Sequence, residues 1–310
     1  VSAAGRRVVV IGDVMTDIVV LTEGGLVRGS DRRARISSGA GGSGANQAVW
    51  LAAMGVAVTM IGRAGVEDAE AWRRHFSARG VEPVLAEDDE RPTGTLIAIV
   101  DPDGERSFLT DRGANLGLVP ADIPPEVVEA AAMLVVSGYA LFAPGPRQAV
   151  RAAMARARGH GVAVAVDAAS TGFLDEVGPA SFLEWTAGAD LVFANEEEAG
   201  LLTGKSEAAE QVSALGRHFG QVVIKRGAQG AVAGTRAGLL CSAASPDVMV
   251  VDSTGAGDAF AAGFIAELLA GGGTEAALRS GVAAGSEAVG RVGAQPPMKG
   301  VRPWMSSPGS

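Results

Sequence analysis

Short apolar runs alternate with segments of helical period along most of the chain. Residues 8–11, 56–61, 133–137, 162–167, 190–194 and 222–225 are compact runs dominated by Val, Ile, Leu and Ala, and they read as buried strands. Between them, residues 45–54, 69–79, 147–158 and 208–219 read as helices. Each is followed at once by a glycine (Gly55, Gly80, Gly159, Gly220), the residue best suited to a left-handed C-cap. This alternation predicts βαβ units and an α/β fold with a mostly parallel sheet and helices on both faces. Two stretches break the rhythm. Residues 17–37 hold the apolar run Ile18-Val19-Val20-Leu21, a Gly-rich turn, and then Arg32-Arg33-Ala34-Arg35-Ile36. Residues 93–111 hold two apolar runs around Asp101-Pro102-Asp103-Gly104, which is hairpin turn chemistry. Both read as strand pairs inserted into the α/β body, either a small flap over a pocket or ordinary surface hairpins. No repeat of solenoid period is present. The stretch after Pro296, with Pro297, Pro303 and Pro308, reads as an irregular tail over 297–310.

Composition narrows the function classes. At 310 residues and 47% hydrophobic, the chain can bury a full α/β core, and its 44 Gly suit close helix-on-sheet packing. A net charge of −9 argues against nucleic acid or an anionic membrane as the main partner. No apolar stretch reaches the ~20 residues of a spanning helix. The single cysteine, Cys241, excludes an internal disulfide and reads as a buried or strand residue, because no activating neighbour surrounds it. With no signal-peptide pattern ahead of the first strand, a cytoplasmic setting is expected. His75, His160 and His218 lack metal-ligand spacing and are expected to be solvated helix residues.

The most informative chemistry lies at Asp252-Ser253-Thr254-Gly255-Ala256-Gly257-Asp258-Ala259-Phe260, which leads into an apolar helical pattern. Small residues at a helix start leave backbone N–H groups uncovered, and the helix dipole makes that spot positive. Asp258 is a carboxylate among those donors. An anion hole formed by Gly255, Ala256 and Gly257 beside a general base is what phosphoryl transfer to an alcohol requires. Asp13 and Asp17 follow the first strand, where ligands of open α/β sheets bind, although a turn-capping role for Asp13 is equally open. Two formal matches mislead. Gly39 to Gly44 fits G-x-G-x-x-G, but Asp31, Arg32, Arg33 and Arg35 precede it where a dinucleotide site needs a buried strand. Residues 199–206 fit a relaxed P-loop, but Leu201-Leu202 is a helical face and Glu196-Glu197-Glu198 would repel phosphates. Residues 195–202 therefore read as a short helix capped by Gly204.

The order of these motifs resembles the PfkB (ribokinase-like) family of carbohydrate kinases over almost the whole chain. The segment at 252–260 resembles the family's C-terminal signature, and Gly41-Gly42-Ser43-Gly44-Ala45-Asn46-Gln47-Ala48-Val49 its N-terminal one. Gly113-Ala114-Asn115 and Val292-Gly293-Ala294-Gln295-Pro296 fit as well. The resemblance implies a three-layer α/β/α fold in one domain, with a small β-sheet lid built from about 13–39 and 92–112. It implies ATP-dependent transfer of the γ-phosphate to a primary hydroxyl of ribose, a ketohexose or a sugar acid, with Asp258 as base. Asp17, Gly41, Gly42 and Asn46 would contact the sugar, and Asp13, like Asp17, could grip its hydroxyls as an acceptor. Asn195, Lys225, Gly227 and Gly230 would line the nucleotide site. Glu198, in the N-x-x-E motif, would order Mg²⁺ indirectly, and Asp252 and Thr254 would lie near a possible K⁺. A homodimer formed through the lid is implied too. Met15 stands where ribokinases carry Asn, Tyr139 where they carry an acid, and Pro297 where they carry Ser. These departures leave a nucleoside as an alternative acceptor. A noncatalytic sugar-binding protein and an NADP-dependent oxidoreductase are the remoter readings.

Overall fold

A computed structural model describes residues 6–100 and 106–297. The strands are β1 (Arg7–Ile11), β2 (Met15–Thr22), β3 (Ala34–Gly41), β4 (Ala57–Gly65), β5 (Val81–Asp88), β6 (Thr93–Val100), β7 (Arg106–Gly113), β8 (Met133–Ser137), β9 (Ala163–Asp167), β10 (Leu191–Asn195), β11 (Gln221–Lys225), β12 (Ala231–Thr235) and β13 (Gly238–Ala243). The helices are α1 (Ser43–Ala53), α2 (Ala69–Ser77), α3 (Pro125–Glu129), α4 (Pro144–Gly159), α5 (Thr171–Val177), α6 (Pro179–Trp185), α7 (Glu196–Thr203), α8 (Ala208–Leu215), α9 (Ala256–Ala270) and α10 (Thr274–Val289).

Nine strands form one sheet in the order β13-β12-β11-β10-β9-β8-β1-β4-β5. It is parallel from β11 through to β5 and antiparallel at the β11–β12–β13 edge. The alternation of side chains along each strand explains the layering. In β1, Val8 and Val10 join one apolar cluster with α1, α2, α9 and α10. Val9 and Ile11 join a second cluster with α3 to α8. Met133 and Val135 of β8 fall in the first cluster, and Leu134 and Val136 in the second. A strand buried on both faces needs no polar alternation, which is why these runs are continuously apolar.

The two interruptions form a separate four-stranded sheet, ordered β3-β2-β6-β7. β2 pairs antiparallel with β3 and parallel with β6, so the two inserted segments make one unit rather than two independent hairpins. The turn 101–104 lies outside the described residues, as does nearly all of the tail from 298 onward.

Several elements escape the apolar pattern. β5 carries Glu82, Pro83 and Glu87, as an edge strand with one side toward water can, and a buried Asp88 paired with Arg63 at 2.9 Å. The β12–β13 pair and α10 are disguised by Gly and Ala, whose small side chains carry little periodic contrast. The helix at 195–204 forms as expected: Asn195 is the N-cap and Gly204 the left-handed C-cap. This removes the P-loop reading, since residues 199–203 are helical.

The close approach of β1's end to α1's start fixes the floor of the site. A Cβ built on Gly44 would lie 2.6 Å from the Gly12 Cα. Gly44→Ala should therefore force backbone apart and destabilise the fold by about 1–3 kcal/mol, the usual cost of overpacking. Urea unfolding would measure it, and an unchanged midpoint would refute the tight contact.

Candidate active site

The candidate site is assembled from the carboxyl ends of β1, β8, β9, β10 and β11, the N-termini of α1 and α9, and the face of the small sheet. A cavity of about 740 Å³ runs along the ends of β9, β10 and β11 and the starts of α1 and α9. Its walls include Asp167, Asn195, Glu198, Lys225 and the α9 start from Gly255 to Asp258. Gly227 and Gly230, in the turn after β11, line it as well.

Asp258 lies in the first turn of α9, and three side chains of α1 hold it. The Ser43 hydroxyl donates to Oδ1 at 2.7 Å, the Asn46 amide to Oδ2 at 2.9 Å and the Gln47 amide to Oδ1 at 3.2 Å. The spacing 43, 46, 47 is one turn of helix, so α1 presents all three donors on one face. Burial pushes the Asp258 carboxyl up to about 6, with the charge of Asp167 adding to it; the three donors work the other way. A carboxyl tuned near neutrality can take up a proton at physiological pH.

Asp17 projects from β2 of the small sheet toward the same place. Burial, then the charges of Asp258 and Asp252, push it up to about 7. Gly41, in β3, lies against its carboxyl group: a Cβ there would come within 2.1 Å of Asp17. Gly42 adopts φ 93° beside the Asp13 carbonyl, a conformation that disfavours any side chain. Asp13 does not cap a turn. It forms a buried two-pronged ion pair with Arg112 of β7, at 2.8 and 2.7 Å. Asn115 reinforces that junction by accepting from the Val14 amide and donating to the Val14 and Arg112 carbonyls, with Met15 Sδ 3.4 Å away.

On the nucleotide side, Asn195 and Glu198 form a reciprocal capping box: Asn195 N–H donates to Glu198 Oε2 at 2.8 Å, and Glu198 N–H to Asn195 Oδ1 at 2.7 Å. Glu198 is buried, and desolvation pushes its carboxyl up while Lys225 opposes this. Glu196, half-exposed in the first turn of α7, accepts from Arg226 at 2.7 Å. Lys225 bonds Asp167 at 2.9 Å. Its ammonium also faces α9: a Cβ on Gly257 would sit 3.2 Å from Nζ. The helix start thus carries a fixed cation beside its first amides, of which that of Ala256 donates to the Ser253 carbonyl at 3.3 Å. Asp252 accepts from the Thr254 amide at 2.9 Å and the Gly293 amide at 3.0 Å, tying the loop before α9 to the segment after α10.

Ser43, Gln47, Asp167, Arg112 and Ala169 are site residues that the sequence reading leaves out. Asp167 ends a strand that the apolar pattern does locate, so the strand-end rule that singled out Asp13 would have found it. Ala169 has φ 77°, a conformation uncommon for a residue with a Cβ, and it lines the cavity. Nothing local marks Ser43, Gln47 or Arg112. His75 corrects an expectation: it is partly buried and bonds Gln295 and Arg79, whereas His160 is exposed. Among the described residues, no helix is long and apolar enough to cross a membrane.

The sequence pattern of the pfkB family of carbohydrate kinases matches residues 6–300, and the chain belongs to that family. It is therefore a carbohydrate kinase of the ribokinase-like fold. Among curated relatives, the ATP-dependent ribose-1-phosphate kinase of Halopiger xanaduensis is 34% identical, with 82% of each chain covered. A 5-dehydro-2-deoxygluconokinase of Listeria monocytogenes is 31% identical over 79% of each chain. Among solved structures, adenosine kinase from Sinorhizobium meliloti superposes with a TM-score of 0.86 at 26% identity, covering 94% of this chain and 96% of that one. The G-x-G-x-x-G match has no dinucleotide context, because Gly39 and Gly41 belong to β3 of the small sheet.

The raised carboxyls carry a stability signature. A carboxyl whose folded value lies above its unfolded ~4 holds its proton longer in the native state. Its contribution is present at low pH and lost as pH rises through the folded value, here about 7 for Asp17. Asp17→Asn should thus melt higher than wild type at pH 8, with the gap closing by pH 5. A pH-independent difference in melting temperature would refute the buried ionisation.

Proposed function

We propose that the protein transfers the γ-phosphate of ATP to a primary hydroxyl of a small, uncharged carbohydrate, with Asp258 as general base. The observation that carries this reading is the Asp258 carboxylate, poised by Ser43, Asn46 and Gln47 where the nucleotide cavity meets the small sheet. Asp258 takes the hydroxyl proton, and the oxygen attacks the γ-phosphorus in line as the bond to the β,γ-bridging oxygen breaks and ADP leaves. The amides of Gly255, Ala256 and Gly257, together with Lys225, meet the charge that develops on the transferring group. Asp167 keeps Lys225 charged and in place.

Asn195, Lys225, Gly227 and Gly230 hold the nucleotide in this reading. Mg²⁺ supplies charge neutralisation at the phosphates. The buried oxygen donor Glu198 on the cavity wall suits a hard cation that keeps its own waters. A K⁺ effect near Asp252 and Thr254 belongs to the proposal, the ion meeting a loop already ordered by the Asp252 bonds.

Asp17, Gly41, Gly42 and Asn46 form the acceptor end, and Asp13 acts there through Arg112. Three carboxylates, Asp13, Asp17 and Asp258, share that end with one guanidinium, whose charge Asp13 already balances. This favours a neutral polyol over a sugar acid or sugar phosphate. A second reading, a nucleoside acceptor, is favoured by Tyr139, whose ring lines the cavity and packs edge-on against Phe142 and Phe173, and by the apolar Met15. The likeness to an adenosine kinase supports the same reading. The small sheet is proposed as a lid and as the contact of a homodimer, because Ile36, Phe108 and Leu109 on it are exposed. A cytoplasmic setting completes the proposal.

ADP release should be followed over pentoses, ketohexoses, keto-sugar acids, sugar phosphates and nucleosides, with and without K⁺. Neutral sugars should give the highest kcat/KM, and preference for an anionic acceptor would overturn the charge argument. Asp258→Asn should lose on the order of 10²–10⁴-fold in kcat, the usual contribution of a positioned base. Near-normal turnover would remove Asp258 from that role. Asn46→Ala should raise the acceptor KM, and sedimentation should show a dimer.

A further inference from the structure

A hydrogen-bond chain leads away from Asp258 to the opposite side of α1. Asn46 Nδ2 donates to Asp258 Oδ2 at 2.9 Å. Asn46 Oδ1 accepts from Gln295 Nε2 at 3.2 Å. Gln295 Oε1 meets His75 Nε2 at 2.8 Å, and His75 Nδ1 meets Arg79 Nη1 at 3.1 Å. The chain joins α1, the segment after α10, α2 and the residue two beyond α2's end.

Its polarity follows from the chemistry of its far end. A guanidinium can only donate, so His75 Nδ1 must accept. A neutral ring with an accepting Nδ1 carries its proton on Nε2 and donates it to the Gln295 oxygen. That fixes which end of the Gln295 amide points toward Asn46, and a donating Gln295 Nε2 fixes Asn46 in turn. The orientation so imposed is the one that aims a donor at the Asp258 carboxylate. A flipped Asn46 would place its oxygen against that carboxylate, oxygen to oxygen.

We propose that Gln295, His75 and Arg79 are positioning residues that lock the Asn46 amide toward Asp258 and so tune the base from outside the substrate pocket. The proposal rests on the reading of Asp258 as the base. Two independent features support it. The Trp50 indole donates to the Ala294 carbonyl at 2.9 Å, and Gly255 packs against the same residue, so the residue before Gln295 is held between α1 and the start of α9. His75 is held well below the usual histidine range, at about 4, by burial and then by the Arg79 charge; it stays neutral throughout the working range, as a one-directional chain needs. Around Asp258 the other ionisable neighbours are Asp17 from β2, Asp167 from β9, Lys225 from β11, Tyr139 after β8 and Asp252 before α9. None of them bonds Gln295, so a Gln295 substitution isolates the Asn46 contribution.

Two measurements test the proposal. Two-bond ¹H–¹⁵N correlation spectra of the whole protein, assigned with His75→Leu, should show His75 as the neutral Nε2–H tautomer at pH 7. The Nδ1–H tautomer or an imidazolium would overturn the chain. Gln295→Met, similar in shape but unable to bond, should raise the acceptor KM roughly 3–10-fold, the range for one net hydrogen bond. It should leave the ATP KM alone and move the acid limb of kcat/KM to higher pH, because a wavering Asn46 no longer stabilises the Asp258 anion. A mere loss of stability would not move that limb. If Gln295→Met does not fold, Arg79→Met serves: with Nδ1 released, the ring should populate Nδ1–H. An unmoved acid limb beside a crippled Asp258→Asn overturns the positioning role alone, whereas normal turnover of Asp258→Asn overturns the base and the positioning role with it.

Discussion

The pinning of Asp258 at the positive end of α9 by three side chains of α1 is the interaction on which the site depends. α1 and α9 belong to the same face of the large sheet and share its apolar cluster. The distance from Asn46 to Asp258 is thus set by core packing, not by the flexible loops near them. Interiors packed at crystal-like density hold such distances to fractions of an ångström, and positioning of that quality is worth several powers of ten in rate.

The second constraint is electrostatic. Asp13, Asp17, Asp167, Glu198 and Asp258 crowd one end of the molecule, in a chain already at −9. Two cations relieve the crowd: Arg112 pairs with Asp13 beside the small sheet, and Lys225 with Asp167 beside the start of α9. Asp17 and Asp258 lie between these pairs, and both are pushed upward. Buried pairs of this kind add little net stability, because desolvation offsets attraction. Their value is that each charge is fixed where a reacting group arrives.

The reach of the sequence varied with the kind of signal. Apolar runs located the inner strands because burial on both faces leaves them no other composition. The helix entry at 255–260 and the helix at 195–204 were legible because capping chemistry is local: Gly255, Asn195, Glu198 and Gly204 act on their own turns. Edge strand β5 and the Ala- and Gly-rich α10 were not, since their partners rather than their own periodicity define them.

The sequence by itself determined the layered α/β architecture, the glycine-rich start of α9 and the carboxylate within it, because each depends on residues within about a turn or a strand of one another. Only the tertiary structure decided which donors hold that carboxylate, that Arg112 occupies Asp13, that Asp167 holds Lys225, and that His75 bonds a half-buried glutamine. Those contacts span 58 to 220 positions along the chain, and nothing in local propensity ties a residue to a partner so far away.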